Sequence, residues 1–147
     1  MLNTYLTPEM VRLQIDVKDW EAAVRAAGNL LVDAGYVSPN YIEAMINAVH
    51  EMGPYMVLAP GLALAHARPE DGVLKMGISL VTLAKPVNFG SEANDPVNLV
   101  IAFGGTDHES HLGLLVTLAS FLEDESRRKE LASVKTYQEL DQLIKAQ

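Results

Sequence analysis

No cysteine occurs anywhere in the chain. Disulfides, zinc–thiolate centres and a cysteine nucleophile are therefore excluded. Basic residues are scarce: 11 Lys and Arg stand against 19 Asp and Glu, a formal charge of −8 with an isoelectric point near 4.8. Nucleic acid binding needs clustered cations to neutralise phosphates, so no nucleic-acid partner is expected. A basic protein partner fits better, because opposite fields speed encounter. No apolar run approaches the roughly 20 residues needed to cross a bilayer, and Met1 to Pro8 lack the basic start and long apolar core of a signal peptide. The expectation is a cytoplasmic protein, or a soluble subunit if it serves a membrane transporter. No internal repeat, low-complexity tract or linker interrupts the chain.

What is present is 49% hydrophobic residue in a chain of 147, just long enough for a three-layer core. The expected fold is α/β: a single domain over residues 1–147, with a central mixed β-sheet flanked by helices on both faces.

Val11, Leu13 and Ile15 alternate with Arg12 and Gln14, which predicts a short edge strand. Asp16 or Asp19 caps a helix that buries Trp20, Ala23, Val24, Ala27, Leu30 and Leu31 and ends at Gly35. Trp20 reads as a core anchor rather than a sugar-stacking platform. Ser38-Pro39 opens a second helix running to about Met52, with Tyr41, Met45, Ala48 and Met52 on one face and His50 exposed. Met45, Met52 and Met56 read as core fillers.

Lys75–Leu83 predicts a strand, and Lys85–Pro96 a hairpin-like loop rich in turn residues. The apolar, β-branched run Val97–Phe103 predicts a central strand buried on both faces. Gly104-Gly105 provides a tight exit, and Thr106 with Glu109 fits a capping box for the next helix. That helix carries His108 and His111, three apart, and continues through Leu122. Asp124 begins a charged helix with Arg127, Arg128 and Lys129 as a solvated face. Thr136 and Glu139 open a last helix burying Tyr137, Leu140 and Leu143.

The stretch Gly53–Gly72 organises the rest. Pro60-Gly61 is a turn, so an extended run starts after it. On a strand, Leu62, Leu64, His66 and Arg68 face one way, and Ala63, Ala65 and Ala67 the other. The alanine face suits close packing under a helix. Pro69 stops the strand and holds Arg68 extended. On spacing alone two readings stand. One is a partly buried, hydrogen-bonded histidine beside a surface arginine. The other is a phosphoryl site, with a ring nitrogen as nucleophile and a guanidinium pairing phosphate oxygens.

The run Gly-Pro-Tyr-Met-Val-Leu-Ala-Pro-Gly-Leu-Ala-Leu-Ala-His-Ala-Arg-Pro-Glu-Asp-Gly-Val resembles the active-site segment of the enzyme IIA domains of the bacterial sugar phosphotransferase system. The likeness is to the mannitol/fructose-type superfamily and, within it, the ascorbate-type branch. It extends over nearly the whole chain. It implies that His66 accepts phosphate from the phosphocarrier HPr and passes it to a IIB component, with the membrane IIC component served indirectly. His111, in His108-Glu109-Ser110-His111, matches a second family histidine that steadies the phosphate. Two departures stand out. Ala65 replaces a proline frequent before the histidine. The helix segment Asn47-Ala48-Val49-His50-Glu51 lacks the arginine of mannitol-type members. Arg68 is therefore the expected charge partner.

The relay needs no metal or organic cofactor. The sugar is not legible, with ascorbate the branch-level expectation, and oligomeric state stays open, a homodimer included. Two rivals remain at this level: a regulatory module phosphorylated without onward transfer, and a metal-dependent hydrolase using His66, His108 and His111 with Asp107.

Overall fold

Residues 2–146 are described by a computed structural model. In chain order the elements are α1 (Leu2–Tyr5), β1 (Val11–Ile15), α2 (Trp20–Asp33), α3 (Pro39–Met52), β2 (Val57–Ala59), β3 (Leu62–Ala65), β4 (Gly77–Val87), β5 (Val97–Gly104), α4 (His108–Leu122), α5 (Glu125–Ser133) and α6 (Tyr137–Lys145). The five strands form one mixed sheet in the order β1-β4-β5-β3-β2. β1 pairs parallel with β4, β4 antiparallel with β5, β5 parallel with β3, and β3 antiparallel with β2.

Strand alternation sorts the core into two. Ala63, Ala65, Val81, Val100 and Ala102 face α2 and α3, whose Ala23, Ala27, Tyr41, Met45 and Ile46 complete the first core. Leu62, Leu64, Ile78, Leu80, Leu99, Ile101 and Phe103 face α4, α5 and α6 in the second. Small residues on one face let two helices lie close; large ones on the other fill a wider gap. This is the expected three-layer architecture, with β5 central and β1 at an edge. Among the described residues no helix is long and apolar enough to cross a membrane.

The local signals mostly act as read. Asp19 caps α2 by accepting the Ala22 N–H at 2.9 Å. Thr136 caps α6 by accepting from Glu139 N–H. Trp20 packs against the first core.

Several expectations need correction. β1 does not keep one face: Gln14 adopts φ +55°, so Val11 and Leu13 face the second core while Ile15 joins the first. The Gln14 backbone N–H bonds Thr82 Oγ1, and its amide reaches the Ala132 and Val134 carbonyls. β4 starts at Gly77, because the Leu74 and Lys75 N–H groups both bond the Tyr36 carbonyl and bend the chain. It then extends to Val87, so only residues 88–96 form the loop. There the Asp95 carboxylate accepts the Phe89 and Gly90 amides. Asp107 rather than Thr106 caps α4, accepting from Ser110 N–H at 2.8 Å, since a carboxylate is the stronger acceptor at a helix start. Met45 and Met56 are buried, but Met52, the last residue of α3, is 66% exposed.

Arg128 is not on a solvated face. It is buried, and its Nη1 donates to the Leu122 and Glu123 carbonyls at the end of α4. Arg127 does the same for Phe121. Both cations thus sit at the negative end of the α4 dipole. Arg128→Ala would strand those carbonyls and leave a hole, so a loss of about 2–3 kcal/mol is expected in urea unfolding. Lys129→Ala, on an exposed side chain, should stay within about 0.5 kcal/mol of the parent.

Candidate active site

The β3 ladder ends at Ala65, opposite Ala102 of β5. His66 and Phe103 are the next residues on each strand, and both continue the leucine-bearing face. Their rings stack at 5.0 Å with 27° between planes. Gly104-Gly105 then turns the chain, and Asp107 starts α4. His111, in its second turn, lies 5.4 Å from both the His66 and Phe103 rings. Tyr55 closes the site edge-on, 5.6 Å from His66 at 82°, and its hydroxyl donates to the His66 carbonyl at 3.2 Å.

The His66 Nδ1 lies 2.9 Å from the Leu64 carbonyl oxygen. A carbonyl can only accept, so Nδ1 carries the hydrogen and the neutral ring presents its lone pair at Nε2. Burial pushes the His66 imidazole toward its neutral form. The Leu64 bond opposes this, and the His111 charge adds to it in smaller measure. Burial, with the charge of His108, also lowers His111. The His111 Nδ1 is shut off from solvent with no hydrogen-bond partner, which leaves Nε2 as its accessible nitrogen. Both histidines are thus drawn toward their neutral forms, and His66 presents its lone pair at Nε2.

These rings form part of the wall of a cavity of about 610 Å³, together with Asn47, Ala48, Met52, Arg68 and His108. The wall agrees only in part with the sequence reading. His66 and His111 are brought together. Arg68 reaches the rim, where its guanidinium pairs with Asp71 at 3.2 Å on a largely exposed side chain. His108 is exposed at the head of α4. His50 lies elsewhere, bonded to Glu21 at 2.6 Å and packed on Trp20. Among the described residues no group of three or more His, Asp or Glu could hold a metal ion. The hydrolase reading fails on that geometry, because Asp107 is spent on the helix cap.

Sequence reasoning passed over Phe103, Tyr55 and Gly105 as site residues. Gly105 carried the clearest signal, as the second of two glycines before a helix. A Cβ there would lie 2.5 Å from the His111 N and Cα, closer than real contacts allow, so only glycine lets α4 start against the strand end.

The model of the phosphoenolpyruvate-dependent sugar phosphotransferase system EIIA 2 family matches residues 4–147, and the chain belongs to this family. Curated relatives include the ascorbate-specific PTS system EIIA components of Shigella flexneri and Escherichia coli K12. They are 43% and 42% identical over 135 residues, covering 91% of this chain and 88% of each relative. Among solved structures, the mannitol-specific cryptic phosphotransferase enzyme IIA of Escherichia coli is 34% identical and covers 99% of both chains at a TM-score of 0.89. An Escherichia coli complex of mannitol enzyme IIA with phosphorylated enzyme IIB matches at 30% identity and TM-score 0.83, covering 96% of this chain and 97% of the other.

Two outcomes are expected from this geometry. Gly105→Ala should push α4 off the strand end, lowering stability by about 1–3 kcal/mol and abolishing the proton–proton NOE between the His66 and His111 rings. Both histidines also bind their proton at lower pH in the folded state than when unfolded. As pH falls below about 6.5 the unfolded chain takes up protons first. Stability should therefore decline between that pH and the depressed folded values, then level. Urea unfolding across a pH series reads the slope, and a variant lacking both histidines should lose it.

Proposed function

We propose that residues 1–147 act as one EIIA unit that accepts a phosphoryl group on His66 Nε2 from phospho-HPr and delivers it to a IIB component. The observation that carries this reading is the tethered His66 ring: Nδ1 held by Leu64, Nε2 free toward the cavity, and His111 alongside. Nε2 attacks phosphorus in line as the bond to the donor's histidine nitrogen breaks, and the donor nitrogen keeps the electron pair. The reverse geometry serves delivery to IIB. Little covalent assistance is needed, so the protein mainly positions and neutralises. With its hydrogen on Nε2, a neutral His111 donates to a phosphoryl oxygen, and Arg68 adds charge from the rim by exchanging Asp71 for phosphate. The identity to ascorbate-specific relatives supports ascorbate as the substrate of the system served, through a membrane IIC component, with this chain on the cytoplasmic side. Met52, Tyr55 and Leu112, exposed at 66%, 37% and 59%, give the apolar collar against which HPr and IIB dock.

Incubation with phosphoenolpyruvate, enzyme I and HPr should add one acid-labile phosphate by intact mass. His66→Ala should add none; a wild-type phosphate level in that variant would move the acceptor elsewhere. His111→Ala should still be labelled but exchange phosphate about tenfold or more slowly, whereas Arg68→Ala should slow transfer only a few-fold. Added ascorbate-type IIB should discharge the labelled protein, and a phosphate that stays put would favour a purely regulatory role.

A further inference from the structure

We propose that Tyr41 is a positioning residue for His66: its one hydroxyl ties the residue after the phosphoryl acceptor to the residue beneath the acceptor's ring. Tyr41 lies on α3 and is fully buried in the first core. Its hydroxyl oxygen accepts the Ala67 N–H at 2.9 Å and donates to the Phe103 carbonyl at 2.8 Å, with the Ala67 carbonyl as a longer second acceptor at 3.2 Å. Both partners are backbone groups at the ends of neighbouring parallel strands. The β3 ladder ends at Ala65, so the Ala67 amide lies beyond any strand partner, and the phenol replaces one. Between these two anchors sit the His66 ring and its stacking partner.

The consequence is geometric. β3 leaves the sheet here while β5 stays paired with β4 through Gly104, and a splay of the β3 exit would lengthen the His66–Phe103 stack and turn the His66 ring off the Leu64 carbonyl. Tyr41 holds the two strands at a set spacing from the alanine side. A second tie supports the first. After Pro69–Asp71 the chain returns to the start of α3, where Ser38 N–H donates to the Gly72 carbonyl at 2.8 Å, and a Cβ on Gly72 would strike Ser38 Oγ. The α3 N-terminus therefore grips the His66 exit on both sides. A phenol bonded through both its lone pair and its proton is orientationally determined, which a phenylalanine cannot reproduce.

This proposal rests on His66 being the acceptor, so the test separates the two. In Tyr41→Phe, long-range ¹H–¹⁵N spectra of the full chain should show His66 passing from a single Nδ1–H tautomer to a mixture. Ala67 amide exchange should rise to that of an exposed loop, and phosphate uptake from phospho-HPr should slow about tenfold. Leu140→Ala, in the second core far from the site, should lower the melting temperature yet leave the His66 tautomer and the uptake rate unchanged. Tyr41→Phe with wild-type tautomer and rate would overturn the proposal, whatever its stability. Should that variant not fold, the wild-type Ala67 amide decides: protection matching Leu64 supports the clamp, and loop-like exchange overturns it. If the wild type takes no phosphate, the carrier reading falls, while the tautomer comparison still tests Tyr41.

Discussion

The site depends on the parallel register of β3 against β5. Leu62, Ala63, Leu64 and Ala65 lie opposite Leu99, Val100, Ile101 and Ala102 without a break. The ladder between them then stops, one residue before His66 and Phe103, while β5 runs on to Gly104 beside β4. Because side chains alternate, a slip of one residue would turn every position to the other face. Alanines would then meet the wide gap under α4, and leucines would collide with α2 and α3. Packing on both faces enforces the same register, so the imidazole is placed by the core rather than by its own contacts. The antiparallel partner β4 adds a further lock, pairing Ile78 with Phe103 and Gly77 with Gly104.

Once the ring is placed, the same burial shapes its chemistry. An aromatic floor and two aromatic walls exclude water, which disfavours the charged imidazolium. The Leu64 carbonyl favours a hydrogen on Nδ1 and so selects the tautomer. A neutral ring with its lone pair fixed outward needs no reorganisation before meeting an incoming phosphoryl group. The cost of desolvation thus works in favour of nucleophilicity, and His111 is drawn toward its neutral form by burial as well.

Positive charge is sparse here. Asn47 and Ala48 line the cavity on α3, where the mannitol-type resemblance leads an arginine to be expected. Arg68 sits at the rim, engaged with Asp71. A site whose nearest guanidinium is already paired with a carboxylate holds phosphate loosely, which suits a group that must leave again.

Much of the architecture was legible in the chain. The alternation of Leu62, Leu64 and His66 against Ala63, Ala65 and Ala67 assigned faces correctly, because the period of two belongs to any strand. The run Val97–Phe103 declared a central strand by having no polar face. Where local signals competed, the reading slipped: Thr106 and Asp107 both fit a cap, and Arg128 looked solvated because nothing in α5 itself reveals that its side chain folds back onto the end of α4. Residue type, periodicity and punctuation determined the layers, the strand that carries His66 and the family resemblance. Tertiary structure alone decided which nitrogen of His66 is free, that Phe103 and Tyr55 surround it, and that Tyr41 lies beneath its exit. Those facts join residues tens of positions apart, and their distances follow from how two cores pack against one sheet, which no local pattern encodes.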